Sequence, residues 1–251
     1  MKTALVTGAT SGIGKATAFM LAKHNYNLII TGRRLKRLQD FEKELKEEFN
    51  IEVLILNFDI RDRKETKKQI ENIPDSFKNI DVLINNAGLA SGLDLIHEAD
   101  IDDWEKMIDT NVKGLLYISR AIMPGMVERK SGHIVNISSI AGKETYFKGN
   151  VYCATKHAVE ALTKAMRIDM LPFGIKVTSI APGAVNTEFS FVRLSDKEAA
   201  DKVYEGFNPL YAKDIADSVE FAVTRPAHVN INDILIMPTA QANSSHLHKK
   251  L

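Results

Sequence analysis

The chain has 251 residues, 33 Lys and Arg against 32 Asp and Glu, a net charge of +1, and hydrophobic side chains at 45% of positions. So even a balance argues against a basic nucleic-acid surface or charge-driven attachment to an anionic membrane, and no apolar run reaches the ~18 residues a spanning helix needs. The one cysteine, Cys153, leaves no internal disulfide to form, which fits a reducing, cytoplasmic setting.

Met1-Lys2 leads straight into the first strand, so no leader is expected there, and the length suits one domain, residues 1–251. Thr3-Ala4-Leu5-Val6-Thr7 is uncharged and rich in strand formers, and predicts a buried strand over 4–7. It runs into Gly8-Ala9-Thr10-Ser11-Gly12-Ile13-Gly14. Residues 15–23 then carry Ala16, Phe19, Met20 and Leu21, apolar positions that suit a helix. Strand, glycine turn and helix together form the setting a dinucleotide requires. Glycines let the backbone approach a pyrophosphate, and the helix start offers free N–H groups and a positive dipole end. Gly8, Thr10, Ser11, Gly12, Ile13 and Gly14 are the cofactor-binding candidates here, although the spacing G-x-x-x-G-x-G departs from the commoner G-x-G-x-x-G.

The second strand, over 28–31, ends in Gly32-Arg33-Arg34. An NAD site carries an acid ~20 residues past the glycines to take the ribose 2′-hydroxyl. No acid stands in that window before Asp40. Two guanidiniums there can grip a 2′-phosphate with charge-assisted bonds, so Arg33 and Arg34 point to NADP(H).

Further strands are expected over 52–57, 82–85, 133–138, 176–180 and 234–237, with helices over 36–48, 63–71, 102–127, 151–171 and 213–224. Such alternation implies a parallel sheet covered on both faces, an α/β doubly wound Rossmann-type fold with seven parallel strands. Two stretches read as irregular: 182 to about 208, and the polar tail from Pro238, whose His246 and His248 show no metal spacing and suggest a disordered end. Gly8 follows the first strand, Asn85-Asn86-Ala87-Gly88 the fourth, Ser138-Ser139 the fifth and Pro182-Gly183 the sixth. Ligands of open α/β sheets bind outside the carboxyl ends of the strands, so these clusters converge on one crevice.

Tyr152 and Lys156 are a phenol and an amine at i and i+4, on one face of a helix. A cation beside a phenol favours the phenolate and lowers a pKa that starts near ~10. That makes Tyr152 a candidate acid/base near neutrality, with Ser139 standing 13 positions upstream. Cys153 points about 100° away on the same helix and reads as packing.

With Thr7-Gly8-x-x-x-Gly12-x-Gly14, Asp59, Asn85-Asn86-Ala87-Gly88, Asn111, Ser139, Tyr152-x-x-x-Lys156 and Pro182-Gly183 with Thr187 in this order, the chain resembles the short-chain dehydrogenase/reductase family. The stretches Asp103-Trp104-Glu105, Pro124-Gly125-Met126-Val127-Glu128-Arg129 and Pro226-Ala227-His228-Val229-Asn230-Ile231-Asn232 look like its NADP-dependent 3-hydroxy acid dehydrogenase branch, which oxidises serine, allo-threonine and related acids. The resemblance implies hydride exchange with a small-molecule hydroxy acid or carbonyl, with Tyr152 as acid/base and Lys156 also holding the nicotinamide ribose. It implies that Ser139, rather than Ser138, bonds the substrate oxygen, and that Asn111 supports a proton-passing water. Asp59 and Ile60 would face the adenine. Asn86, Ala87 and Gly88 would line the ribose and nicotinamide side, joined by Pro182, Gly183, Val185 and Thr187. The segment over about 183–208 would be a mobile lid, and helices 102–127 and 151–171 would pack a homotetramer. A carboxylate on the substrate needs a cation. Arg193 is the first candidate because its planar fork matches a carboxylate, with Lys143 and Lys148 as alternatives.

Overall fold

Strand β1 (Thr3–Val6) is wholly buried, with Ala4 and Val6 turned to one face of the sheet and Leu5 to the other. A computed structural model describes residues 1–194 and 196–250. In it β1 pairs with β2 (Asn27–Gly32) on one side and β4 (Ile80–Asn85) on the other. Strands β3 (Val53–Asn57), β5 (His133–Ile137), β6 (Lys176–Pro182) and β9 (Asp233–Ile236) complete a seven-stranded parallel sheet in the order β3-β2-β1-β4-β5-β6-β9. The expected strands are all there, within one to two residues at their ends.

Helices cover both faces. On one, α1 (Gly12–Lys23), α2 (Leu35–Glu48) and α9 (Ala212–Val223) set Leu21, Leu38, Phe41, Ile215 and Val219 against Val6, Leu28, Ile30 and Ile84. On the other, α5 (Leu115–Arg129) and α6 (Asn150–Met170) set Ile118, Ile122, Met126, Val159 and Met166 against Leu5, Ile29, Leu83 and Ile134. The buried positions of α6 follow the three-to-four spacing of a helix with one inward stripe. Helix α3 (Arg63–Glu71) starts where Asp62 accepts the backbone N–H groups of Lys64 and Glu65. No helix of the described residues is long and apolar enough to cross a membrane.

Two expectations need correction. The single helix over 102–127 is divided: α4 (Ile101–Ile108) passes through a π-helical turn, Asp109–Gly114, before α5 begins. The stretch from 182 to 208, expected to be irregular, holds strand β7 (Val185–Asn186) and helices α7 (Phe189–Leu194) and α8 (Lys197–Val203); β7 pairs in parallel with β8 (Leu210–Tyr211). These elements are too short to show a periodicity in sequence.

The sheet order reverses direction at β1 and β4, each side of which is wound oppositely. That switch point opens a crevice at the carboxyl ends of the strands.

Candidate active site

A cleft of about 550 Å³ lies there, lined by segments following β1, β2, β3, β4, β5 and β6. At its floor the glycine loop turns with Gly8 at φ +69°, a conformation side chains resist. The loop is braced from β4. Asn86 Nδ2 donates to the carbonyls of Thr7 (2.9 Å) and Gly8 (3.2 Å), while Thr7 Oγ1 accepts from the N–H groups of Asn86 and Ala87, each at 3.0 Å. A Cβ at Gly14 would fall onto Asn86 Nδ2 and the Gly8 carbonyl, so the first turn of α1 can approach the loop only as glycine. Ser11 at the N-cap makes no side-chain capping bond and the first turn carries no acid. The N–H groups of that turn are therefore open to an anion.

At the ends of β2 and β3 the basic pair takes two different positions. Arg34 bonds Thr10 Oγ1 through Nε (3.1 Å) and Nη2 (2.6 Å), Ser11 Oγ (2.7 Å), and through Nη1 the carboxylate of Glu188 (2.9 Å). Arg33 is 61% exposed and comes only to 3.8 Å of Asp59. Burial works to raise the Asp59 pKa, but hydrogen bonds and charge from Arg61, helped by Arg33, hold it below the usual carboxylate value. Ile60 lies beside it, against Gly114.

Further along, α6 points Tyr152 (8% exposed) and Lys156 (6% exposed) into the cleft. Lys156 Nζ donates to the Ile137 carbonyl (3.0 Å) and lies 6.0 Å from the Tyr152 ring centre. Burial lowers its pKa to about 8, with Glu160 opposing. The expected depression of the Tyr152 pKa is corrected here. Burial drives it up, outweighing the Ser139 hydrogen bond and the Arg193 charge that pull it down. Two groups in one buried pocket each resist ionisation, because burial penalises the charged form of both. Ser139 faces Tyr152 and also accepts the Ala141 N–H (3.1 Å). Ser138 instead has its hydroxyl beside Gly142 and the buried Glu160.

Asn111 sits in the π-helical turn, and its side chain is fully engaged. Its Oδ1 accepts the Leu89 N–H (2.9 Å), and its Nδ2 donates to the Leu89 carbonyl (2.8 Å) and to Thr155 Oγ1 (3.0 Å) on α6. It thereby ties the loop after β4 to the helix that carries Tyr152 and Lys156. Asn111 and Gly14 stand behind the cleft wall. The alternative cations Lys143 and Lys148 aside, every other site residue expected from the sequence lines the cleft, including Gly12, Ile13, Ala87, Gly88, Pro182, Gly183, Val185 and Thr187.

Arg193, on α7, reaches the same place from above. Its guanidinium carbon is 5.5 Å from the centre of the Tyr152 ring, and Nη1 donates to the Tyr146 hydroxyl (2.8 Å). Lys143 faces elsewhere, paired with Glu160 and Asp233, and Lys148 lies over the exposed ring of Phe147. Of the three candidate cations, only Arg193 lines the cleft.

The short chain dehydrogenase family profile matches residues 2–198. The chain belongs to that family. It is 44% identical over 251 residues to the NADP-dependent 3-hydroxy acid dehydrogenase of Schizosaccharomyces pombe, covering 99% of this chain and 97% of the relative. It is 42% identical over 241 residues to a serine 3-dehydrogenase of Rhizobium radiobacter, covering 96% of this chain and 95% of that one. Among solved structures it superposes with TM-score 0.93 at 42% identity on the closed form of a serine dehydrogenase complexed with NADP+, over 98% of this chain and 99% of that chain.

Among the cleft residues that sequence reasoning missed, four make contacts that shape the site. Tyr146 and Glu188 carry no local motif, and only the folded chain brings them to Arg193 and to Arg34. Gln241 and Ser244 come from the tail expected to be disordered. Instead the tail folds back, with Gln241 Oε1 accepting the Ala184 N–H (2.8 Å), Ser244 N–H bonding Glu144 (2.9 Å) and Lys250 N–H bonding the Gly206 carbonyl (2.8 Å). Its polar side chains are used as hydrogen-bond partners, which composition alone cannot distinguish from solvation.

Proposed function

We propose that this chain is an NADP-dependent dehydrogenase of small 3-hydroxy acids, of the serine, allo-threonine or 3-hydroxypropionate type, that also reduces the matching carbonyl. The observation that carries the substrate reading is the position of Arg193, 5.5 Å from the ring of Tyr152 and inside the cleft. A guanidinium there pairs with a carboxylate two carbons from the reacting hydroxyl. The printed names of the relatives, serine and 3-hydroxy acid dehydrogenases, support the same class.

The residues present fit the cofactor. The glycine loop and uncapped start of α1 suit a pyrophosphate, the exposed Arg33 suits a 2′-phosphate, and no acid ends β2 to claim a 2′-hydroxyl. Asp59 and Ile60 would flank the adenine; Asn86, Ala87, Gly88, Pro182, Gly183, Val185 and Thr187 would line the remainder. Held in this cradle, NADP(H) would supply or accept the hydride exchanged at the substrate carbon. Tyr152 moves the accompanying proton, giving it to the carbonyl oxygen in reduction and taking it from the hydroxyl in oxidation. Ser139 donates a hydrogen bond to that oxygen and stabilises its developing charge. Lys156 supplies positive charge beneath the phenol, and Asn111 holds the loop at Gly88 against α6. The raised Tyr152 pKa keeps the phenol protonated at neutral pH, which favours proton donation. Oxidation, which needs the scarce phenolate, should therefore speed up as pH rises, while reduction should hold steady through neutrality, where the phenol stays protonated.

The segment over 183–208 would act as a lid, and the chain as a cytoplasmic homotetramer joined along the α4–α5 and α6 helices. A panel of hydroxy acids and neutral alcohols with NADP+ or NAD+, followed by nicotinamide absorbance, tests the proposal. Turnover of 3-hydroxy acids with NADP+ is expected. Turnover confined to neutral ketones or 3-oxoacyl thioesters would replace this reading with a carbonyl reductase, and no turnover with any substrate would indicate a nucleotide-binding protein without catalysis.

A further inference from the structure

Helix α7 is six residues long and only Ser190 of it is buried. A helix this short has too few turns to hold its own position without outside contacts. The Ser190 hydroxyl bonds Tyr204, a residue of the same 183–208 segment, so that contact does not tie α7 to the body of the protein. What does tie it is the Phe189 ring, 5.7 Å from the centre of the Tyr152 ring, and polar contacts at its two ends. At the end, Arg193 bonds the Gly92 carbonyl (3.2 Å) and the Tyr146 hydroxyl (2.8 Å). Just before the start, the Glu188 carboxylate crosses the cleft to Arg34 Nη1 (2.9 Å) and to Arg37 Nη1 (2.8 and 2.9 Å).

We propose that Glu188 is a positioning residue that latches the lid onto Arg34 and Arg37, leaving Arg33 as the cation that grips the 2′-phosphate. The geometry divides the two arginines. Arg34 has its donors spent on Thr10, Ser11 and Glu188. Arg33 points outward, with only a distant Asp59 that Arg61 already holds at 2.7 Å. The latch matters for the reaction because α7 carries Arg193 at its other end. Closing Glu188 onto the cofactor side brings Arg193 down beside Tyr152 on the substrate side. The inference rests on the proposed reading of the cleft as a cofactor and hydroxy-acid site.

The test compares Glu188→Gln with Arg33→Met by three readouts in the full-length protein. For Glu188→Gln we expect the KM of the hydroxy acid to rise about fivefold, the range of partly exposed ion pairs, with kcat and the NADP+ Kd nearly unchanged. Trypsin cleavage after Arg193 and Lys197 in the NADP+-loaded protein should accelerate by a similar factor. Arg33→Met should do the reverse, weakening NADP+ about tenfold or more while leaving lid cleavage at saturating NADP+ unaltered. The double variant Arg37→Gln/Glu188→Gln should be little worse than Glu188→Gln alone, since partners in one contact are not additive. Unchanged KM and cleavage in Glu188→Gln would overturn the latch. So would tighter NADP+ binding, which would make Glu188 a competitor of the phosphate for Arg34. If the wild type oxidises no hydroxy acid, the substrate reading fails by itself, and the cleavage rates still decide the latch.

Discussion

At the glycine-loop end of the cleft, the contacts run through backbone groups and through residues on neighbouring strands, such as Thr7, Asn86 and Ala87. At the Arg193 end they run from one side chain to well-separated segments, Arg193 reaching the Gly92 carbonyl, the Tyr146 hydroxyl and the Tyr152 ring, with Gln241 and Ser244 of the tail also lining the cleft. The first end is part of the sheet and moves only if the sheet does. The second depends on a six-residue helix and a folded-back tail. A nucleotide common to many enzymes can be met by the first kind of construction. Choosing a particular substrate is left to the second, where single side chains can change without disturbing the core.

The largest effect that could break this division is at the junction of the two ends. Tyr152→Phe removes the only hydroxyl assigned to proton transfer and nothing assigned to the nucleotide. Turnover should fall by about 10²–10⁴-fold, while a fluorescence titration of NADPH should give a nearly unchanged Kd. Substantial residual turnover would move the acid/base role elsewhere.

Lys156 offers a sharper test because its placement costs stability. Its pKa is held near 8 against an ordinary 10.5, so the folded state binds its proton more weakly than the unfolded chain does. Stability should therefore rise as pH climbs from about 8 to about 10.5. The full difference is worth roughly 3 kcal/mol at ~1.36 kcal/mol per unit. Lys156→Met should be inactive yet more stable to urea at pH 7, and its stability should no longer climb over that pH window. A variant less stable than wild type would show that the Ile137 hydrogen bond outweighs the burial of the charge.

At the cofactor end, Arg33→Met should weaken NADP+ by about 1.5–3 kcal/mol, the value of a charge-assisted bond, and leave NAD+ as it was. Equal losses by calorimetry would make Arg33 structural. The smallest effect is expected from the tail. Gln241→Ala leaves the Ala184 N–H without its partner and should cost about 1 kcal/mol, seen as a modest rise in substrate KM with NADP+ affinity kept. If NADP+ affinity falls instead, the tail serves the cofactor end.

The same contrast explains which parts of the molecule were legible in the sequence. The strand–glycine–helix motif, the alternation of strands and helices and the Tyr152–Lys156 spacing are local patterns, and the structure places them where the pattern requires. The π-helical turn at Asn111 escaped because apolar spacing continues through it from α4 into α5. Glu188, Tyr146 and the tail residues escaped for a different reason. Their partners lie far away in sequence, 154 residues for Glu188 and Arg34 and 47 for Tyr146 and Arg193, and no spacing rule connects them. The direction of the Tyr152 pKa was misread because the spacing of a cation is visible in sequence and the burial that opposes it is not.

The central claim is that Arg193 recognises a free carboxylate on the substrate. It is tested most directly by comparing kcat/KM for a 3-hydroxy acid and its methyl ester, with NADP+, in wild type and in Arg193→Met. A half-buried cation left without its carboxylate penalises the neutral analogue, so the wild type should prefer the acid by tenfold or more, about 1.4 kcal/mol, and Arg193→Met should lose that preference. Equal reaction of acid and ester in the wild type would contradict the account.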